Sequence, residues 1–258
     1  MKSATRLASV WGLFAMAVVG CFSTFATPAE AQNPGNNAVY NSMNGVVPSL
    51  SFIDASVFIG NGSNQSSNIC GAIYGILSGG FYNYPATGAV IDARGISGTT
   101  ALTCATGKTP WTDGTTPVSL PSTILLPATG GASATPIIIA TPWVIPSNTH
   151  LIGEGDGIGS SAATTIQVSS TFNTTPGYIM QFGSASGASG ISVERLTIDG
   201  QGNSVDGIVN PNAGPNSYVD HVTLYQIRGA GLLVENNADG SGPYSNITFN
   251  TGSYGGTM

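Results

Sequence analysis

The sequence predicts an all-β protein wound as a parallel β-helix, and three observations predict it. The octets "VERLTIDG" (193–200), "VDHVTLYQ" (219–226) and "YSNITFNT" (244–251) carry apolar side chains at their first, fourth and sixth positions and recur at intervals of 26 and 25 residues. A second series runs between them. "DGIVN" (206–210) matches "GLLVE" 25 residues later, setting Ile208 over Leu233, Val209 over Val234 and Asn210 over Glu235. An earlier copy, "YIMQFGS" (178–184), stands 29 residues before the first of these and adds Gln181 to the Asn210–Glu235 column. A period near 25 that holds at least two short strands is what one turn of a solenoid looks like in sequence.

Leucine-rich repeats use the same apolar-x-x-apolar-x-apolar spacing. They also need Asn or Cys three residues after the last leucine, to hydrogen-bond the turn. Gln201, Ile227 and Gly252 occupy those places here. The second strand of each period also replaces the helical or extended return of that repeat. A β-helix instead lays each strand about 4.8 Å above its copy in the turn below, with aliphatic columns inside and Gly or Asn at the corners.

Residues 1–31 read as a secretory signal: Lys2 and Arg6, an apolar run from Ala8 to Val19, and small residues Ala29 and Ala31 before a cleavage point. "VVGC" ending at Cys21 also fits a lipoprotein signal, which would anchor the chain through that cysteine. The expected location is secreted or periplasmic. Neither signal leaves a transmembrane helix, because the run is shorter than the roughly 20 residues a span needs. Residues 32–50, rich in Asn, Gly and Pro, read as a flexible leader, and residues 51–258 as the β-helix domain. Within it, "SSNICGAIYGILSGG" places Ile69, Ala72, Ile73, Ile76 and Leu77 at helical spacing, with Ser66, Ser67 or Asn68 as N-cap and Gly79 at the end. Short strand signals follow from Gly88. The stretch from Ser97 to Ser122, with Cys104 and Trp111, reads as a long surface loop. The last octet comes close to Met258 without a polar cap, so a continuation of the chain, or a partner over that end, is expected.

Without residues 1–31 the chain has four basic residues against eleven acidic, a net charge of −7, which argues against nucleic acid as a partner. Charged residues are only 7% of the whole chain and Gly is 36 of 258, so the surface is built from hydroxyls, amides and backbone. Sugar hydroxyls match such a surface; so would any weakly charged secreted protein. Cys70 and Cys104, the cysteines left after signal removal, are expected to form a disulfide in an oxidising compartment.

The helix "NICGAIYGIL", then "GAVIDARG", "TILLPATG" and "PWVIPSNTHLIGEGDG" with "TTIQ" downstream, resemble the N-terminal module of the pectate-lyase-like superfamily of secreted right-handed parallel β-helices. The resemblance covers about 200 residues and is most specific at "VIPSNTHLIGEG". It implies a helix capping the solenoid and a polysaccharide lyase or glycoside hydrolase acting on acidic polysaccharide, with a glycan-binding or attachment β-helix as the alternative. A hydrolase of this kind needs two or three carboxylates about the glycosidic bond. Asp206 matches the first Asp of the family pattern, whereas Ala230 and Gly231 stand where an Asp pair is required, and the Gly-His-Gly and Arg-x-Lys signatures are absent. A lyase needs a base beside a neutralised uronate, with calcium as the usual neutralising ion; Arg228 fits that base better than Arg195. Asp206, Arg228 and Glu235 are therefore the candidate catalytic residues, and Gln181, Asn210 and Tyr225 the candidate sugar contacts. No metal ligand set stands out. Asp199 and Asp220 read as turn caps, and His150 as a rung residue.

Overall fold

The computed structural model describes residues 52–81, 84–130, 135–160, 162–184, 187–235 and 240–253. The signal segment, the leader, Cys21 and the C-terminal residues after 253 lie outside them. Every described strand and helix belongs to one compact unit.

The three octets do lie side by side. They form β9 (Ile191–Asp199), β11 (Tyr218–Tyr225) and β13 (Tyr244–Asn250). All three are parallel, with Val193, Val219 and Tyr244 in one column, Leu196, Val222 and Ile247 in the next, and Ile198, Leu224 and Phe249 in the third. Shorter strands extend this sheet toward the N-terminus: β1 (Phe52–Asp54), β2 (Ala89–Asp92), β3 (Ser122–Leu125) and β6 (Thr149–Ile152). The first inward column runs Ile53–Ile91–Ile124–Leu151–Val193–Val219, and each of these residues is buried. β4 (Ile137–Ile139) and β7 (Thr165–Val168) pair with each other, and β7 with the C-terminal half of β9. A separate four-stranded parallel sheet stacks β5 (Trp143–Ile145), β8 (Tyr178–Phe182), β10 (Asp206–Asn210) and β12 (Leu232–Val234). All pairings between these strands are parallel, in a long sheet that curls and a short one beside it.

The two consecutive x positions of each octet have a physical cause. Arg195, His221 and Asn246 occupy the second of them with φ of 53°, 51° and 52°, the left-handed region that breaks strand alternation. Glu194 and Arg195 therefore do not simply point to opposite faces, as flat alternation would have it. The strand turns a corner there, and Leu196 faces inward again. This lets β9 pair with β6 before the bend and with β7 after it. A second corner column stands ahead of the octets, where Asn148, Gly190, Asn216 and Gly242 also have positive φ.

The short sheet corrects the sequence-based alignment by one residue. Ile208, Val209 and Asn210 pair with Leu232, Leu233 and Val234, and Val209 pairs with Gln181. The Gln181–Asn210–Glu235 column does not exist; Gln181 stands between Val144 and Val209. β12 is continuously apolar, so a one-residue slip leaves its pattern unchanged and the sequence carries no signal against it.

The expected helix is α1 (Ile69–Leu77), with Asn68 as N-cap accepting from the Gly71 N–H at 3.0 Å and Gly79 in the left-handed region just after its end. Cys70 and Cys104 are bridged, with Cα atoms 5.4 Å apart. The stretch from Ser97 to Ser122 does not simply cross the surface. Leu102, Cys104 and Trp111 are buried, Thr103 bridges Ile138, and Trp111 meets Trp143 edge to face at 5.7 Å. The disulfide and the indole draw this segment onto the core.

Candidate functional site

Asp206 opens β10, and its half-buried carboxylate accepts the Ala230 N–H at 2.7 Å. The same turn brings in exposed Arg228, whose N–H reaches the Asn203 carbonyl at 3.4 Å. Asp206 and Arg228 thus share one corner. Glu235 follows the far end of β12, where its N–H donates to the Asn210 carbonyl at 2.9 Å. Four strand steps separate Asp206 from Asn210, roughly 13 Å, so Glu235 lies apart from that corner. Asn210 is fully buried: its Nδ2 donates to the Ala213 carbonyl and the Tyr244 hydroxyl, and its Oδ1 accepts from the Ala213 N–H. It closes a turn. Gln181 donates to the carbonyl of Gly183. Tyr225 ends β11 half-buried, in register with Asp199.

Two side-chain clusters formed between rungs were not legible as clusters in the sequence. On the outer side of β6, β9 and β11, His150, Ser192 and Tyr218 fall in one column, with Glu194 and Asp220 paired two positions along. Ser192 Oγ donates to Glu194 Oε1 at 2.6 Å, the Tyr218 hydroxyl donates to the same oxygen at 2.8 Å, and His150 Nδ1 lies 2.8 Å from Ser192 Oγ. The single Ser192 proton goes to Glu194, so the His150 contact requires Nδ1–H as donor. Burial, reinforced by the Glu194 contact, raises the Tyr218 phenol above its ordinary value. Asp220 accepts from Ser245 Oγ at 2.7 Å and Asn246 Nδ2 at 2.9 Å, with His221 Nδ1 2.9 Å away. Those contacts, the Ser245 hydrogen bond first, hold its carboxyl at about 2.

A depressed carboxyl stabilises the fold above its unfolded value near 3.8 and loses that contribution as pH falls through about 2. Asp220→Asn should therefore melt below the parent at pH 6, with the gap closing as both are taken to pH 2. Thermal melts across that range check it; a gap independent of pH would refute the role given to these hydrogen bonds.

The second cluster lies past the bend. Gln167, Asp199, Tyr225 and Asn250 form one column. Asp199 is 6% exposed and accepts from Gln167 Nε2 at 3.0 Å, Gln201 Nε2 at 2.6 Å and the Gln201 N–H at 2.9 Å. A cleft of about 540 Å³ opens beside it, lined by Ile138, Gln167, Val168, Ser169, Gln201 and Asn203, among others. Another cleft, about 310 Å³, lies near Ile59 and Ser97–Ala101 and is lined by no titratable side chain. The loop 153–160 covers part of the same face as the second cluster: Gly157 N–H donates to Thr197 Oγ1, and Thr223 Oγ1 donates to Asp156. Among the described residues, no group of three or more His, Cys, Asp or Glu is placed to hold a metal ion, and no helix is long and apolar enough to cross a membrane.

The chain matches no protein-family model, no curated protein and no solved structure. The pectate-lyase-like resemblance therefore rests on sequence motifs such as "VIPSNTHLIGEG", and the structure itself defines an all-β fold of parallel, in-register strands with one disulfide.

Proposed function

We propose that this chain is a secreted right-handed parallel β-helix of the pectate-lyase-like class and that it engages polysaccharide by binding. Uninterrupted parallel register along two sheets supports the architecture, and parallel crossovers are right-handed in about 98% of cases. A disulfide and a signal-like N-terminus support export.

One observation carries binding over cleavage: the engagement of the carboxylates. Asp199, Asp206, Glu194 and Asp220 each accept hydrogen bonds from their own neighbours. Those oxygens are taken up in holding turns and rungs together, whereas glycosidic hydrolysis needs two carboxyls free to face the glycosidic bond from either side. A second reading, cleavage of acidic polysaccharide at the corner shared by Asp206 and Arg228, is favoured by their closeness. There Arg228 would serve as the base, and calcium, where required, would neutralise the uronate.

Incubating the full chain with polyuronides and neutral polysaccharides distinguishes the two. Retention on a polysaccharide without new reducing ends or unsaturated products is expected. Unsaturated ends lost in Arg228→Gln, or new reducing ends lost in Asp206→Asn, would replace the binding reading with a lyase or a hydrolase.

A further inference from the structure

The amides around Asp199 are oriented, and their orientation selects a ligand. Only the NH2 side of a carboxamide can face a carboxylate, because an ionised carboxylate offers acceptors alone. Gln167 and Gln201 both direct Nε2 at Asp199 Oδ2. Their carbonyl oxygens are on the opposite side of each amide. Asn203, in the same turn as Gln201, also points its Nδ2 at an acceptor, the Gly200 carbonyl at 2.9 Å. All three residues line the cleft, and because these bonds use only the NH2 side, each keeps a carbonyl oxygen uncommitted to them. Ile138, in register with Gln167 on the outward face, adds apolar surface and Ser169 a hydroxyl.

We propose that this cleft is a subsite for a neutral sugar unit of a glycan chain. The inference rests on the polysaccharide-binding reading and names its site and substrate class. Sugar hydroxyls donate into carbonyl oxygens, and the C–H face of a pyranose packs on half-buried Ile138. A uronate carboxylate finds the reverse: acceptors facing acceptors, with the buried Asp199 charge behind them, which costs free energy in a partly desolvated site. Asp199 acts through the amides as a positioning residue.

Calorimetric titration of the full chain tests this, using neutral gluco-, manno-, xylo- and galacto-oligosaccharides against galacturonate and glucuronate oligomers of equal length at one ionic strength. At least one neutral series is expected to bind, and to bind tenfold or more tighter than either uronide. Gln167→Ala with Gln201→Ala should weaken that binding at least tenfold, and Gln201→Ala alone should weaken it too, in a chain that still folds but melts lower because buried Asp199 loses a donor and residue 201 has φ of 50°. Neutral binding undiminished in the folded variants overturns the site and leaves the wider reading standing. Tighter uronide binding that is lost in Arg228→Gln overturns the neutral class. Binding by neither class overturns the site and the wider reading together.

Discussion

Replacing Trp143 with alanine is expected to destabilise the fold by about 3 to 5 kcal/mol, the range for removing a buried aromatic side chain. Trp143 sits on β5, is 1% exposed, and begins the inward column continued by Met180, Ile208 and Leu232. It also meets Trp111 edge-on at 88°, a geometry that adds roughly 0.5 to 1.5 kcal/mol beyond area burial. Truncation would remove both and loosen the 97–122 segment around Trp111, although the disulfide and the Thr103–Ile138 bridge still hold it. The corresponding fall in melting midpoint is roughly 6 to 20 °C for a domain of this size. Trp143→Phe should cost much less. The indole N–H of Trp143 is buried without a hydrogen-bond partner, and deleting an unsatisfied donor offsets part of the lost packing. Denaturant midpoints of the two variants check this; an alanine loss under about 1 kcal/mol would mean that the column is not part of the cooperative core.

The parts of this fold that were legible in the sequence are those where two faces of a strand differ. In β9 and β11 the inward Val193, Leu196 and Ile198 alternate with polar outward residues, so the register with Val219, Val222 and Leu224 is specified, and the structure has that register. In β10 and β12 no such contrast exists, and the predicted pairing slipped by one. The site was less legible still, because its geometry comes from contacts between turns. Gln167 and Asp199 are 32 positions apart and become neighbours only through the pairing of β7 with β9. His150 and Ser192 meet across 42 positions. Asp206 and Arg228 could be brought to one corner by the 25-residue period alone, whereas the association of Glu235 with them depended on a column that the true register removes.

Removing the disulfide should have an effect nearly as large and more localised. In the chain-entropy account, a bridge spanning 34 residues stabilises by about 3 to 4 kcal/mol. Cys70→Ala with Cys104→Ala is expected to lose that amount without leaving a free thiol. The bridge holds α1 against the segment carrying Cys104, as does the Ile69 N–H bond to the Ala101 carbonyl at 2.7 Å, while the Cys104 N–H ties that segment to the Ile138 carbonyl of β4 at 2.8 Å. The helix contributes Ile69, Ala72, Ile73, Ile76 and Leu77 to the buried set but belongs to neither sheet, so when its tether is cut it should open before the hydrogen-bonded strands do. Amide exchange should therefore accelerate across residues 69–77 and 101–104, while the β9–β11 amides keep their protection. The opposite pattern, with uniform loss throughout, would place α1 inside the same cooperative unit as the octets and deny the bridge its local role. An unchanged melting midpoint after reduction would deny it any stabilising role.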